Sequence, residues 1–238
     1  MEKTTFKGSV MLNPVPVVMV SSKDKEGKSN VFTVAWIGTI CSKPPMLSIS
    51  IRPERASYKT IEDTKEFIVN IPSSNQVFET DFCGVRSATQ IDKIKEMNFT
   101  MIPGSVVNVD YINECPINIE CKVTQIIKLG CHDLFLAEVV QTHIDSSLIN
   151  ETGKICFDQA NLLSYCHGEY YPITKNPVGK FGFSVVKNKE LKKTYTEKYS
   201  DKKESLKNTT QKPSGKNESS KKKSSKSSIK TKQKSNNK

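Results

Sequence analysis

The sequence predicts a mainly β protein, an antiparallel barrel with a few short helices. Segments that alternate apolar and polar residues, or that are rich in β-branched residues, recur along the first 186 of its 238 residues. Hairpin turns rather than helical crossovers join these segments, as is typical of antiparallel sheets. Neither a G-x-G-x-x-G fingerprint nor a Walker loop occurs, which argues against a doubly wound nucleotide-binding sheet.

Six segments are predicted strands: residues 15–21, 31–40, 46–52, 67–71, 117–129 and 134–143. Gly27 lies in a polar turn between the first two, at a position suited to a positive φ. The motif LGCHD at 129–133 predicts a hairpin turn between the two longest strands.

Four segments are predicted to be helical: residues 57–64, 74–83, 87–96 and, with a weaker pattern, 158–166. Ser73 or Ser74 would cap the second. The third opens with Ser87 and Gln90, which have the spacing of a capping box.

Charge divides the chain into two parts. The net charge is +11, yet residues 187–238 contain 18 lysines and 5 acidic residues, so the first 186 residues are nearly neutral. We therefore predict one domain over residues 1–186 and a disordered Lys/Ser-rich basic tail over 187–238, which has too few apolar residues to form a core. Weak electrostatic contacts of the tail with polyanions are expected, but no arginine or aromatic residue interleaves with the lysine-rich run around 221–223 as a specific nucleic-acid reader requires.

The chain has seven cysteines, an odd number, and no two of them have C-x-x-C spacing. The sequence therefore indicates neither a disulfide framework nor a thiolate metal site. The first 20 residues lack the order of a signal peptide, and no apolar run reaches the length of a membrane span. We expect a cytoplasmic protein with reduced thiols.

Residues 48–58 predict a phosphate site. Alternation over 47–52 places serines and an arginine on one strand face, and the chain then enters a helix near Ser57. Guanidinium groups, hydroxyls and the free N–H groups of a helix start all bind phosphate. The candidate residues are Ser48, Ser50, Arg52, Arg55, Ser57 and Tyr58.

The preceding predicted strand could hold the rest of a nucleotide, because it combines polar side chains with flat apolar surface. Its candidate residues are Asn30, Thr33, Ala35 and Trp36, the only tryptophan of the chain.

A set of motifs in fixed order resembles the flavoredoxin group of the flavin reductase family. The motifs are NPVP at 13–16, KSNVFTVAW at 28–36, SKPPM at 42–46, SIRPERASY at 50–58, EFIVNIP at 66–72, DFCG at 81–84, DK at 92–93, ECKV at 120–123, GCHD at 130–133 and EVV at 138–140. The resemblance covers residues 10–186 and excludes the basic tail.

The resemblance implies a Greek-key split barrel that binds FMN, a homodimer, and reduction of the flavin by NAD(P)H or by another protein. Position 57, more often threonine in the group, keeps its hydroxyl as serine. His132 is also a possible participant in catalysis. The positions that match FMN contacts of the group are Asn30, Trp36, Ser57, Lys93, His132 and Tyr165.

The expected function is therefore that of an FMN-binding oxidoreductase, an NAD(P)H-dependent enzyme that passes electrons to a small-molecule or protein acceptor. Two alternatives stay open. The first is a non-enzymatic electron carrier that uses the same site. The second, less favoured, is a nucleic-acid-associated protein in which the barrel is only a scaffold for the basic tail.

Overall fold

The structure is a computed structural model that describes residues 1–173 and 176–185. The chain divides into two units, Met1–Val178 and Gly179–Lys238. In the second unit, the described residues contain one short 3-10 turn, Phe183–Val185. The predicted tail, residues 187–238, lies outside the described residues, so its boundary stays a prediction.

All paired strands of the described residues run antiparallel, which confirms the predicted mainly β fold. They are β1 (Val15–Pro16), β2 (Val18–Lys23), β3 (Ser29–Val34), β4 (Ile37–Ser42), β5 (Pro45–Ile51), β6 (Glu66–Ile71), β7 (Met101–Pro103), β8 (Asp110–Ile112), β9 (Ile117–Lys128), β10 (Asp133–Ile144), β11 (Leu163–Cys166) and β12 (Glu169–Pro172). The helices are α1 (Ala56–Thr64), α2 (Val77–Val85) and α3 (Lys93–Glu96).

Seven strands form the main sheet in the order β3-β2-β6-β9-β10-β5-β4. The long β9–β10 hairpin lies at its centre, as the motif at 129–133 predicts. Side chains of β2, β3, β5, β6 and β10 bury a common core, with α1 contributing Tyr58 and Ile61. The sheet therefore curls until its edge strand β3 approaches β5. No backbone hydrogen bonds of the sheet join these two strands, so the sheet is a split barrel.

A buried carboxylate anchors the loop before β8. Glu120, on β9, is 0 % exposed and accepts hydrogen bonds from the backbone N–H groups of Ser105, Val106 and Val107 at 2.7–2.8 Å. His143 Nε2 lies 2.6 Å from Glu120 Oε1, the oxygen that also accepts from Ser105 N. Burial raises the pKa of Glu120, but these hydrogen bonds outweigh burial and hold that pKa below its ordinary value.

Two predicted elements are shorter than expected. The predicted strand over 31–40 breaks at Ala35–Trp36, because Trp36 O accepts a hydrogen bond from Ser50 N and the chain continues as β4 beside β5. The predicted helix over 87–96 is helical only over α3. Ser87 Oγ accepts from Thr89 N in a local turn, and the side chain of Asp92 caps the helix instead.

The predicted helix over 158–166 is wrong, because these residues form a 3-10 turn, Phe157–Gln159, and then strand β11. Pairing of β11 with β1 and β12 outweighs its local helical pattern. Strands β7, β8 and β12 were not predicted. Gly27 has the expected positive φ, 87°. None of the helices within the described residues has both the length and the hydropathy of a membrane span.

Candidate functional site

A groove with two adjoining chambers lies where β3 approaches β5. The anion chamber, about 410 Å³, is bounded by β3, the first turn of α1, the end of α2 and the start of α3. The strand chamber, about 270 Å³, extends along β3 to Trp36 and His132. Both chambers share Thr33, Arg52 and Arg55, so they form one continuous groove.

Cations outnumber carboxylates in the anion chamber. Arg52, Arg55, Arg86 and Lys93 line it, with Glu54 as the single carboxylate in the lining. Glu54 pairs with Arg52 at 3.3 Å. No carboxylate of the described residues lies within 4 Å of the other three cations. The chamber is therefore positively charged and suited to an anion.

Lys93 is buried with little compensation. Its side chain is 3 % exposed, and its ammonium donates to the backbone oxygen of Cys83 at 3.1 Å. Desolvation lowers the pKa of Lys93; the neighbouring Cys83 opposes this shift, and the charge of Arg55 acts in the same direction as desolvation. A buried ammonium with one backbone acceptor is incompletely satisfied, so an anionic ligand in the chamber would stabilise it.

Ser57 is on the first turn of α1 and is 2 % exposed. Asn30 Nδ2 donates to Ser57 Oγ at 2.6 Å, and among the described residues no acceptor takes the Ser57 hydroxyl proton. Arg55 is the N-cap residue and makes no side-chain cap bond. The hydroxyl and the helix start can therefore both face a ligand.

The strand chamber is lined by consecutive residues of β3 and its extension, from Phe32 to Trp36. Side chains of a strand alternate between faces, so an unbroken run can border a chamber only along the backbone edge. In the sheet, β3 pairs only with β2. Backbone N–H and C=O groups on its other edge are thus free of sheet bonds.

Trp36 and His132 close the far end of the strand chamber. Their ring centroids are 4.3 Å apart at 40°, and Trp36 is 43 % exposed. Desolvation and then the charge of Arg52 lower the pKa of His132, which favours the neutral imidazole. Cys131 Sγ lies 3.2 Å from His132 Nδ1.

Tyr165 and Tyr170, on β11 and β12, form the outer wall of the strand chamber, with ring centroids 5.5 Å apart. The Tyr170 hydroxyl donates to Asp81 Oδ1 at 3.0 Å, which ties this wall to α2. Burial, and secondarily this hydrogen bond, raises the pKa of Tyr170.

Eleven of the thirteen residues proposed from the sequence line the groove. They are Asn30, Thr33, Arg52, Arg55, Ser57 and Lys93 in the anion chamber, and Thr33, Ala35, Trp36, Ser50, Arg52, Arg55, His132 and Tyr165 in the strand chamber.

Ser48 and Tyr58 line neither chamber. Ser48 is opposite Gly38 and Leu136 within the sheet. Tyr58 is 6 % exposed in the core, where its hydroxyl donates to Asp133 Oδ2 at 2.6 Å. Because Tyr58 follows Ser57 on a helix, its side chain points about 100° away from that of Ser57.

Sequence reasoning missed Gly84, Arg86 and Tyr170, which also line the groove. Gly84 carried a usable signal, since a glycine inside a helix often marks close packing. A Cβ there would lie 3.2 Å from Thr33 Cβ. Arg86 had no distinguishing pattern, and Tyr170 is on a strand that was not predicted.

Two flavoredoxins of solved structure have similar folds. The structure matches that of Desulfovibrio vulgaris (Miyazaki F) with a TM-score of 0.72 and 26 % identity, over 77 % of this chain and 100 % of that one. It matches that of Methanosarcina acetivorans with a TM-score of 0.70 and 25 % identity, over 78 % and 100 %.

A sequence relative, the NADH:riboflavin 5'-phosphate oxidoreductase of Streptomyces pristinaespiralis, is 23 % identical over 137 residues, 58 % of this chain and 75 % of that protein. The family model described as "Flavin reductase like domain" matches residues 10–174. The chain therefore belongs to the flavin reductase like family.

Proposed function

We propose that the protein binds FMN in the groove and acts as an oxidoreductase that passes electrons from NAD(P)H or a redox partner to an acceptor. The observation that carries this proposal is the division of one groove into a cationic chamber and a chamber bordered by a free strand edge. Names of related proteins support the same cofactor, since they include flavoredoxins and a riboflavin 5'-phosphate oxidoreductase.

The residues fit the phosphate of FMN. Lys93 is a buried ammonium with a single backbone acceptor, and Ser57 lines the same chamber with a hydroxyl proton that no described residue accepts. Arg55, which has no carboxylate partner among the described residues, adds charge that does not depend on pH. We assign phosphate binding to these three residues and to Arg52.

The strand chamber fits a flat ring with polar edges. Backbone groups along the free edge of β3 can pair with ring nitrogen and oxygen atoms, and Trp36 and Tyr165 supply apolar walls. Neutral His132 can donate or accept one hydrogen bond at the same end. FMN, when bound, supplies hydride acceptance and electron transfer, which no side chain of the groove supplies.

The assignment is tested by replacing both Arg52 and Ser57 with alanine. Loss of a charged and a neutral hydrogen bond to phosphate should weaken FMN binding about 100-fold. Riboflavin, which has no phosphate, should bind both proteins alike. The pair Lys59→Ala and Thr64→Val, on the same helix but outside the groove, is the matched control. Full FMN affinity of the Arg52/Ser57 variant would contradict the assignment.

A non-enzymatic electron carrier is the second candidate, supported by the likeness to proteins named flavoredoxins. The two functions differ in whether NAD(P)H reduces the bound flavin directly. Anaerobic mixing of the FMN-loaded protein with NADH or NADPH distinguishes them. Loss of the visible flavin band within seconds to minutes supports a reductase, and a persistent band supports a carrier.

We also propose a homodimer. Large apolar side chains are exposed beside the groove, among them Trp36 at 43 % and Leu129 at 62 %. Such surface is typical of a protein contact. Light scattering of the purified chain would give the mass, and a monomeric mass at micromolar concentration would contradict this proposal.

A further inference from the structure

Two pairs of adjacent residues connect the groove to the core beneath it. On α1, Ser57 lines the anion chamber while Tyr58 is buried. At the start of β10, His132 lines the strand chamber while Asp133 is buried. Each pair thus has one residue in the groove and one below it.

The two buried members bind each other. The Tyr58 hydroxyl donates to Asp133 Oδ2 at 2.6 Å. Lys128 Nζ, from the end of β9, contacts the same oxygen at 2.9 Å and also donates to the Tyr58 hydroxyl. We call Tyr58, Lys128 and Asp133 the strut. It joins α1 to the end of β9 and the start of β10, at the two residues that flank the turn of the β9–β10 hairpin.

The strut is held firmly. Tyr58 is 6 % and Asp133 3 % exposed, and the Tyr58 ring packs edge-on against Phe135 with centroids 5.3 Å apart. The hydrogen bonds from Tyr58 and then from Lys128 lower the pKa of Asp133. Loss of the Tyr58 hydroxyl would leave this buried carboxylate with Lys128, whose side chain is 64 % exposed, as its side-chain donor, so the arrangement resists displacement.

The hairpin tip beyond the strut has weak anchors of its own. Leu129 is 62 % exposed, Cys131 is exposed, and Gly130 has a φ of 110°. Leu129 N and His132 O close the tip with a long hydrogen bond of 3.3 Å. The position of His132 therefore depends mainly on the strut residues that flank the turn.

We infer that Tyr58 and Asp133 are positioning residues: the strut fixes His132 against Trp36 and sets its distance from the first turn of α1. This inference rests on the proposed function for its consequence, since the strut then positions the His132 end of the bound FMN without touching it. It also gives Tyr58 a role that differs from the cofactor contact predicted from the sequence.

The strut can be tested without any cofactor, because Trp36 is the only tryptophan and lies 4.3 Å from His132. A protonated imidazole quenches indole fluorescence, so emission of the wild-type protein should fall as the pH drops through the lowered pKa of His132. Arg52, Arg55, Glu54 and Cys131 also face this imidazole, and they are unchanged in every variant below.

His132→Ala should abolish the pH-dependent change in emission. Tyr58→Phe, which keeps the ring, should reduce its amplitude at least two-fold, and Asp133→Asn should do the same if Tyr58→Phe does not fold. Thr64→Val is the matched control, because it removes a hydrogen bond to Thr60 O from the same helix away from the hairpin. It should retain the full amplitude. Wild-type amplitude in both strut variants would overturn the inference.

FMN titration gives the second measurement. Tyr58→Phe should weaken FMN binding about 10-fold in the wild-type background but less than 2-fold in the His132→Ala background, because its effect passes through His132. A 10-fold loss in both backgrounds would overturn the inference. Failure of the wild-type protein to bind FMN would overturn the proposed function instead, and the fluorescence titration would still decide the position of His132.

Discussion

Lys93 and Glu120 are both charged side chains with almost no exposed surface, but their surroundings differ. Glu120 accepts three backbone hydrogen bonds and has His143 Nε2 within 2.6 Å. Lys93 donates to one backbone oxygen and faces a chamber lined by three arginines. A buried charge with a full set of partners holds the fold together, whereas one with a single partner beside a cavity indicates a ligand site.

The largest expected effect concerns the fold. Glu120→Ala leaves three backbone N–H groups of the 105–107 loop without an acceptor, so the free energy of unfolding should fall by roughly 3–5 kcal/mol. Chemical denaturation measures this change. FMN affinity, extrapolated to the folded fraction, should stay within two-fold of wild type. Glu66→Ala is the control, since half-buried Glu66 accepts one backbone N–H from Asn108, and its cost should be about 1 kcal/mol.

The second effect concerns the ligand. Lys93→Met removes a buried ammonium and keeps similar bulk, so FMN affinity should fall about 50-fold, corresponding to one charge-assisted hydrogen bond. The free energy of unfolding should stay equal or rise, because a desolvated charge is removed. Lys95→Met, on the exposed side of α3, should change neither quantity. A destabilised Lys93→Met protein with normal FMN affinity would mean that Lys93 stabilises the fold and does not bind the ligand.

The third effect is a pH dependence of stability. Because the pKa of folded Glu120 lies below its unfolded value of about 4.3, its contribution is complete above that pH and is lost as the pH falls through the folded pKa. The stability difference between wild type and Glu120→Gln should therefore be largest near pH 6 and shrink toward pH 3. A difference that stays constant over this range would contradict the assigned role of Glu120.

The smallest effect concerns the support of Ser57. Asn30→Ala removes the donor to Ser57 Oγ, and a net loss of about 1 kcal/mol should weaken FMN binding about five-fold. Isothermal titration measures it. Asn108→Ala, on a surface loop outside the groove, is the control. A loss as large as that of Lys93→Met would mean that Asn30 itself contacts the phosphate.

Local pattern is enough to predict the barrel strands and most of the groove. Alternation over residues 47–52 identifies β5, which carries Ser50 and ends next to Arg52, and the motif at 129–133 places His132 on a hairpin. The strand and the hairpin turn each depend on a short run of neighbouring residues, so the sequence alone is enough to predict them.

The missing parts depend on distant pairing. Tyr170 reaches the groove because β12 pairs with β11, and β11 with β1, about 150 residues earlier in the chain. Burial of Lys93 also escapes prediction, since α3 is four residues long and its packing against β3 comes from the tertiary fold. Tyr58 shows the converse: its motif is evident in the sequence, but only the structure shows that its hydroxyl binds Asp133 rather than lining the groove.

The free edge of β3 has a consequence for mutational tolerance. Main-chain amides are identical for every residue except proline, so the proposed ligand contacts through Phe32–Ala35 should survive most side-chain exchanges there. Sequence drift in this strand should therefore leave recognition intact, and an amide-to-ester replacement of the backbone would disturb it where an alanine scan would not. Recognition through the main chain is compatible with the low sequence identity, about a quarter, between this chain and the two flavoredoxins of similar fold.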